Sequence, residues 1–417
     1  MREMKDSGVA WIGKIPKDWD VVPHKRVMHK VKEICEQYNG EDIISLTMNG
    51  VIKRDLTAGG KMPTSFDGYQ YVKPNDLLLC LFDIDVTPRC VGVVKDCGVT
   101  SPAYSRFIMH DGYYNSYYDY LLRAIDDDKV FVHLSKNLRS SLTESDFGAI
   151  KTCVPPLAEQ ERIATFLDAE CAEIDAVLEK TRASIEEYKK LKQAVITRAV
   201  TKGVRGDRPM KDSGIEWIGE IPAEWDVLNL VAHTSMLTPM RDRPENLDGP
   251  IPWVRIEDFD GKYIGASKAG LGVSMETVKE MNLKVYPVGT ILCTSSCIMG
   301  KCAIVSRELV SNQRFIGIIP DQGTVKTYLY YLMASNAERM NFLSTGALQA
   351  NLSRSAFEHL KVQFPPYSEQ QEIAAYLDDK CGKIDALIAK KQQYLTEIEN
   401  YKKSLIYEYV TGKKEVT

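Results

Sequence analysis

No apolar run in this chain of 417 residues approaches the roughly 18–20 residues needed to cross a bilayer. The opening segment MREMKDSGVAWIGKIP carries charges of both signs and no apolar core of a secretory leader, so the expectation is a cytoplasmic protein with no membrane partner. A surplus of positive charge is also missing: 53 Lys and Arg face 57 Asp and Glu, a formal net charge of -4. That excludes an indiscriminate nucleic-acid binder coated in lysine, but not a selective one, because base readout needs only a few placed side chains. Ten cysteines are present without the spacing of a disulfide framework, and most read as core fillers. Cys293, Cys297 and Cys302 come nearest to a ligand cluster, yet CxxxCxxxxC matches no zinc or iron–sulfur pattern, and no metal site is expected. A GxxxxGK[ST] phosphate loop does not occur, and Gly270-Leu271-Gly272 is a lone GxG without strand–turn–helix context.

What is present is a sequence written twice. MKDSGVAWIGKIPKDWDVV at 4–22 returns as MKDSGIEWIGEIPAEWDVL at 210–228. VPPLAEQERIATFLDAECAEIDAVLEK at 154–180 returns without a gap as FPPYSEQQEIAAYLDDKCGKIDALIAK at 364–390. The stretches between, about 24–152 and 230–362, share only a skeleton: KPNDLLLCLF against YPVGTILCTSS, and SLTESDFGAIKTCVPP against NLSRSAFEHLKVQFPP. Drift alone should not spare the connectors while erasing the inserts. Two modules held alike that bind different things would show this pattern. The domains expected are 1–153 and 207–363, each followed by a helical region, 154–206 and 364–417.

Pro155-Pro156 and Pro365-Pro366 end the preceding segments, Ser368 with Gln371 suggests a capping box, and Gly203 and Gly412 stand where glycines stop helices. A heptad runs through both helices. Its seam in the first is Leu167, Cys171, Ile174, Leu178, Ile185, Tyr188 and Val195. In the second it is Leu377, Cys381, Ile384, Ile388, Leu395, Ile398 and Leu405, with polar interruptions at Thr181, Lys192, Lys391 and Lys402. At about 1.5 Å per residue, such helices would span roughly 60–70 Å. Modules on an antiparallel pair of them could sit one or more duplex turns apart, a turn being roughly 34–36 Å.

A WIGxIPxxW phrase, a variable domain and a PPLxEQxxIAxxLDxxxxxID helix, all occurring twice, resemble the specificity subunit of type I restriction-modification systems. The resemblance covers essentially the whole chain. It implies two α/β target-recognition domains with small curved sheets, pseudo-twofold related and joined by two long antiparallel helices in a coiled coil. Each domain would read one half of a bipartite double-stranded DNA target. The subunit would recruit two modification subunits, which bind S-adenosylmethionine and methylate adenine at N6, and two restriction subunits driven by ATP with Mg. It would hold no cofactor of its own. The helices at 157–201 and 367–411 would also supply the docking surface for the modification subunits. SNQRF at 311–315 and GALQANLS at 346–353 look like phrases common in these recognition domains, whereas the first half has SPAYSRF and NLRSSLT there.

Arginine reads guanine, and asparagine or glutamine reads adenine, by paired hydrogen bonds in the major groove. Candidates in the divergent inserts are Lys53, Arg54, Arg89, Tyr104, Arg106, Asn137 and Arg139 in the first half. In the second they are Arg241, Arg243, Lys301, Gln313, Arg314, Gln349, Asn351 and Arg354. For each, a solvated surface role or a structural hydrogen bond is the alternative, most of all for Asn312-Gln313. DGYYNSYYDYLLR from Asp111 offers an aromatic platform for bases, or a helix start burying its tyrosines. Trp11, Trp19, Trp217 and Trp225 read as packing anchors.

Catalysis within this chain is the competing reading. Phe364-Pro365-Pro366-Tyr367 is a near miss to the [DN]PP[YF] phrase of amino-methyltransferases, but phenylalanine offers no oxygen to hold the target amine. Asp83 and Asp85 lack a lysine partner for nuclease chemistry, and no catalytic residue is assigned. A coiled-coil adaptor that binds no DNA is the other alternative.

Overall fold

The structure is a computed structural model that describes residues 2–48, 50–57, 63–87, 89–135, 140–239, 243–296, 300–343 and 352–416. The chain divides into two compact units, Met1–Arg182 with Gln393–Thr417, and Ala183–Gln392. Among the described residues no helix is long and apolar enough to cross a membrane.

The first unit opens on the antiparallel hairpin Met4–Asp6 with Lys14–Pro16. Strand Asp20–Pro23 then pairs antiparallel with Lys151–Val154, the last strand before the long helix, with Val21 opposite Cys153. The preserved connectors at the two ends of the insert therefore meet in space. Between them stand an antiparallel four-stranded sheet, ordered Val91–Val93, Leu77–Leu79, Ser105–Met109, Met28–Val31, and a three-stranded sheet ordered Gly98–Thr100, Tyr69–Val72, Ile34–Cys35. Leu77, Leu78 and Leu79 are all buried, as an apolar run without alternation requires. Helix Asn115–Asp127 covers one side, with Tyr117, Tyr118, Leu121, Leu122 and Ile125 fully buried. The tyrosines after Asp111 are thus core, not a platform for bases.

The second unit repeats this plan. Its hairpin is Met210–Asp212 with Glu220–Pro222, and Asp226–Asn229 pairs with Lys361–Phe364. Its main sheet is ordered Thr234–Leu237, Phe315–Pro320, Ile291–Thr294, Cys302–Val305, Tyr263–Ile264. The first four strands match the sheet of the first unit, and the fifth joins in parallel. Helix Lys326–Ser335 takes the place of Asn115–Asp127.

The long helices run from Leu157 to Lys202 and from Tyr367 to Val410. Each starts directly after its Pro-Pro pair. Ser368 lies inside the first turn instead of preceding it, so the expected capping box does not form. The turn is held by a different residue: Gln370 donates to Pro365 O at 3.0 Å and accepts from Val325 N at 2.8 Å. Gln160 repeats this with Pro155 O and Tyr114 N. The helices end at Gly203 and Gly412, whose φ values of 76° and 69° suit glycine. A Cβ on Gly412 would lie 2.4 Å from Pro16, so that end also needs the space.

Every seam position is covered at least in part. Leu167, Cys171, Leu178, Ile185, Leu377, Cys381, Ile384 and Leu405 are buried, while Ile174, Tyr188, Val195, Ile388, Leu395 and Ile398 are half-buried. In the first unit Phe166 packs against Tyr409 with the rings tilted by 42°, and Lys402 reaches Asp175 at 2.6 Å. In the second, Lys192 reaches Asp385 at 2.7 Å and Lys391 lies over Tyr188. In both, residue numbers rise on one helix as they fall on the other, so the paired segments are antiparallel. Thr181, the remaining polar seam residue, donates to Val177 O of its own helix at 2.8 Å.

Of the nine described cysteines, all free, eight are buried; Cys97 is exposed and Cys297 lies outside the described residues. Trp19 and Trp225 are fully buried anchors. Trp11 is half-buried, and Trp217 is 42% exposed beneath Arg339, which corrects its reading as a packing anchor.

Candidate nucleic-acid interface

Each recognition surface stands on a domain fixed to its helix by the same polar latch. Trp19 Nε1 donates to Glu159 Oε2 at 3.0 Å, and Trp225 Nε1 donates to Glu369 Oε2 at 2.9 Å. Arg2 and Arg208 pair with the same two carboxylates and lie over the two indoles. Hydrogen bonding to these carboxylates holds both guanidinium groups above the ordinary arginine range. Lower on the helix, Tyr120 donates to Asp168 and Tyr331 to Asp378, each at 2.7 Å. Burial pushes both phenols up, and the neighbouring carboxylate adds to it, so each stays a donor at neutral pH. The signal for the latches was in the sequence, since Trp, Glu, Gln, Tyr and Asp recur in both copies. It was not read there because a recurring polar residue does not announce its partner.

In the first unit Lys53 ends the hairpin Ile44–Thr47 with Gly50–Lys53 and pairs with Asp42 at 2.6 Å, both exposed. Arg54 follows it, half-buried. Tyr104 is half-buried against Ile44, Val51, Val72, Leu78 and Val94, and burial raises its phenol. Arg106 is only 4% exposed and pairs with Asp76 at 2.6 Å inside the sheet. Its guanidinium holds the fold together and does not face solvent. Arg89 is largely covered: Nε donates to Val91 O at 2.7 Å, and its planar group packs beside Gly50. Burial pulls its pKa down. Asn137 and Arg139 lie outside the described residues.

In the second unit four candidates converge: Lys301, Gln313, Arg314 and Arg354. Arg314 follows a turn in which its N–H donates to Asn312 Oδ1 at 3.1 Å, so Asn312 serves the fold while Gln313 and Arg314 project, exposed. Arg314 O accepts from Ser295 N at 2.8 Å, tying this turn to the loop that carries Lys301. Lys301 is exposed above Phe259, which stacks on Phe315 at 5.2 Å. Arg354 starts a short helix and pairs with Glu358 at 2.7 Å, and Leu352 just before it donates to Ser295 O at 2.9 Å. Arg243 is exposed and lies over Trp253, on a different sheet. Arg241, Gln349 and Asn351 lie outside the described residues.

Where each domain meets its own helix segments, a polar cleft opens. The first has about 950 Å³ and includes Arg89, Arg123, Asp119, Asp168, Arg182 and Lys402. The second has about 520 Å³ and includes Lys262, Lys301, Tyr331, Asp378, Asp385 and Lys192. Arg123, Arg182 and Lys262 were not singled out from the sequence, because an isolated cation on a helix or turn carries no spacing signal. Lys262 pairs with Asp378 and lies against the rings of Tyr263, Tyr330 and Tyr331.

The fold and these surfaces define a tandem scaffold, in which two like domains are latched identically and expose unlike polar side chains. A model described as the type I restriction modification DNA specificity domain matches residues 226–400. The MjaIX specificity subunit of Methanocaldococcus jannaschii, a type I restriction enzyme subunit, is 36% identical over 39% of this chain and 40% of its own length. A second specificity subunit from that organism, named as putative for MjaX, is 24% identical over 97% of this chain and 96% of its own length. A solved chain described in work on complex assembly and conformational transition of the type I R-M system shares the fold. Its TM-score is 0.72 at 14% identity, covering 96% of this chain and 99% of that one. Residues 226–400 thus match that family model, and over nearly its whole length the chain is similar to a type I restriction enzyme specificity subunit.

Proposed function

We propose that this chain reads DNA without catalysing a reaction on it, each domain recognising one half of a bipartite target. The observation that carries this reading is the pairing of sameness and difference. Latches recur residue for residue at Trp19 and Trp225, Glu159 and Glu369, Tyr120 and Tyr331. The exposed Lys53 in one unit and Lys301, Gln313 and Arg314 in the other have no such correspondence. Within this reading the recognition domains are 1–153 and 207–363, the helices form one antiparallel coiled coil, and the halves are related by a pseudo-twofold axis. The antiparallel contacts inside each unit support that arrangement.

The partners proposed are two modification subunits, which bring S-adenosylmethionine and methylate adenine N6, and two ATP-driven restriction subunits. Phosphate contacts from those partners would compensate for this chain's net charge of -4. The buried Phe364, paired with Asp226 in a strand, supports the reading of Phe364-Pro365-Pro366-Tyr367 as a helix start and not as an amine-holding motif.

Methylation sequencing of DNA from cells expressing this chain with its neighbouring modification subunit tests the proposal. The expected result is a motif of two specific blocks around a fixed gap, lost when this chain is absent. A continuous short motif would remove the two-domain reading. No methylation from an assembled complex would favour the adaptor.

A further inference from the structure

Cys293 and Cys302 face each other across the antiparallel strands Ile291–Thr294 and Cys302–Val305. Ladder hydrogen bonds join Thr294 N to Lys301 O at 2.9 Å and Val305 N to Thr290 O at 2.8 Å. The cysteines therefore occupy a non-hydrogen-bonded pair, the position where opposed Cα atoms come closest, at about 4.5 Å. That separation lies within the roughly 4.4–6.8 Å that a disulfide spans. Their sulfur atoms are 2.7 Å apart. Cys293 is fully buried, whereas Cys302 is 8% exposed and borders the 520 Å³ cleft. Among the described residues no group of three or more His, Cys, Asp and Glu is placed to hold a metal ion.

We propose that Cys293 and Cys302 form a thiol–disulfide modification site, closed to a cross-strand bond by a low-molecular-weight disulfide entering from the cleft. Cys302, the thiol that borders the cleft, attacks one sulfur of the oxidant and releases the other as a thiol. Cys293 then attacks the mixed disulfide at the Cys302 sulfur and releases the second thiol. One sulfur–sulfur bond breaks and one forms, and the two protein hydrogens leave on the two released thiols. Cys293 stays inert alone, since burial holds its pKa well above the ordinary thiol value, and it reacts only with the sulfur beside it. Cys293 stands two residues before Ser295, whose N–H donates to Arg314 O and whose carbonyl accepts from Leu352 N.

The first unit supplies an internal control. The places that correspond to Cys293 and Cys302 hold Leu79 and Val91; Cys80 and Cys90 oppose each other one step along the ladder, where Cys80 N donates to Cys90 O at 2.8 Å, which makes theirs a hydrogen-bonded pair. The Cys80 sulfur turns instead to Phe82 O at 3.4 Å and to Thr87 Oγ1 at 3.7 Å.

The test uses the folded full-length chain, unmodified and as Cys297→Ser, exposed to oxidised glutathione, alkylated, and digested with trypsin without reduction. Cleavage after Lys301 separates Cys293 from Cys302. The expected product is CAIVSR joined to the peptide ending at Lys301, with two thiols lost per chain, recovered by reductant and absent in Cys302→Ser. Fragmentation of the joined peptides from the unmodified chain assigns the bond to Cys293 should the variant fold poorly. CAIVSR recovered alkylated, left carrying glutathione, or joined to another cysteine would overturn the proposal. So would equal joining of Cys80 to Cys90.

Discussion

Glu369 accepts a hydrogen bond from the indole of Trp225 at 2.9 Å while Arg208 pairs with its other oxygen at 2.5 Å, and no part of the carboxylate reaches solvent. Breaking a buried pair strands a charge, which costs about 3–5 kcal/mol. Glu369→Ala should therefore lower stability by an amount in that range in urea titrations. Trp217→Ala, at an exposed ring, should cost less than about 1 kcal/mol. Equal losses from the two would show that the latch has no special weight.

Leu377 is fully buried on the seam, and Leu387 on the same helix is 43% exposed. Leu377→Ala should destabilise by about 2–5 kcal/mol, as a core truncation does. Leu387→Ala should stay within about 0.5 kcal/mol. Thermal and urea unfolding of both variants would check the heptad frame, and a reversed order would displace it by one position.

His24 is buried against Phe147, and burial lowers its pKa to about 4. The unfolded chain takes up this proton near 6.5. The stability conferred by the neutral ring is thus fully present above about 6.5 and is lost as pH falls towards 4. Linkage puts that loss at roughly 3 kcal/mol. The second unit has Leu230 at this place, equally buried. His24→Leu should flatten the fall in urea midpoint between pH 7 and pH 5; an unchanged slope would assign the acid sensitivity to other groups.

In the proposed reading Arg314 and Lys301 would make two kinds of DNA contact. Arg314→Ala should relax base preference in one half-site of the methylated motif. Lys301→Ala should weaken all sequences alike and reduce the salt slope by about one. Arg106→Ala should leave an intact motif and a less stable protein, because its partner Asp76 is buried. An unchanged methylation pattern in Arg314→Ala would remove Arg314 from the reading surface.

Periodicity and repetition determined much of this protein before any coordinate was known. The helix starts after Pro155-Pro156 and Pro365-Pro366, the glycine stops and the covered seam follow from local rules, and local rules act through residues close in sequence. Chain-distant contacts decided the rest. Arg106 and Lys53 are both cations in one divergent insert, yet Asp76 draws Arg106 into the sheet while Lys53 stays at a hairpin end. The four tryptophans repeat in sequence, but only Trp19 and Trp225 meet a buried glutamate from the long helix. Cys293 and Cys302 form one strand-opposed contact, whereas Cys80 and Cys90 form another. Burial and pairing depend on which strands and helices come together, and the spacing of residues along one segment does not contain that information.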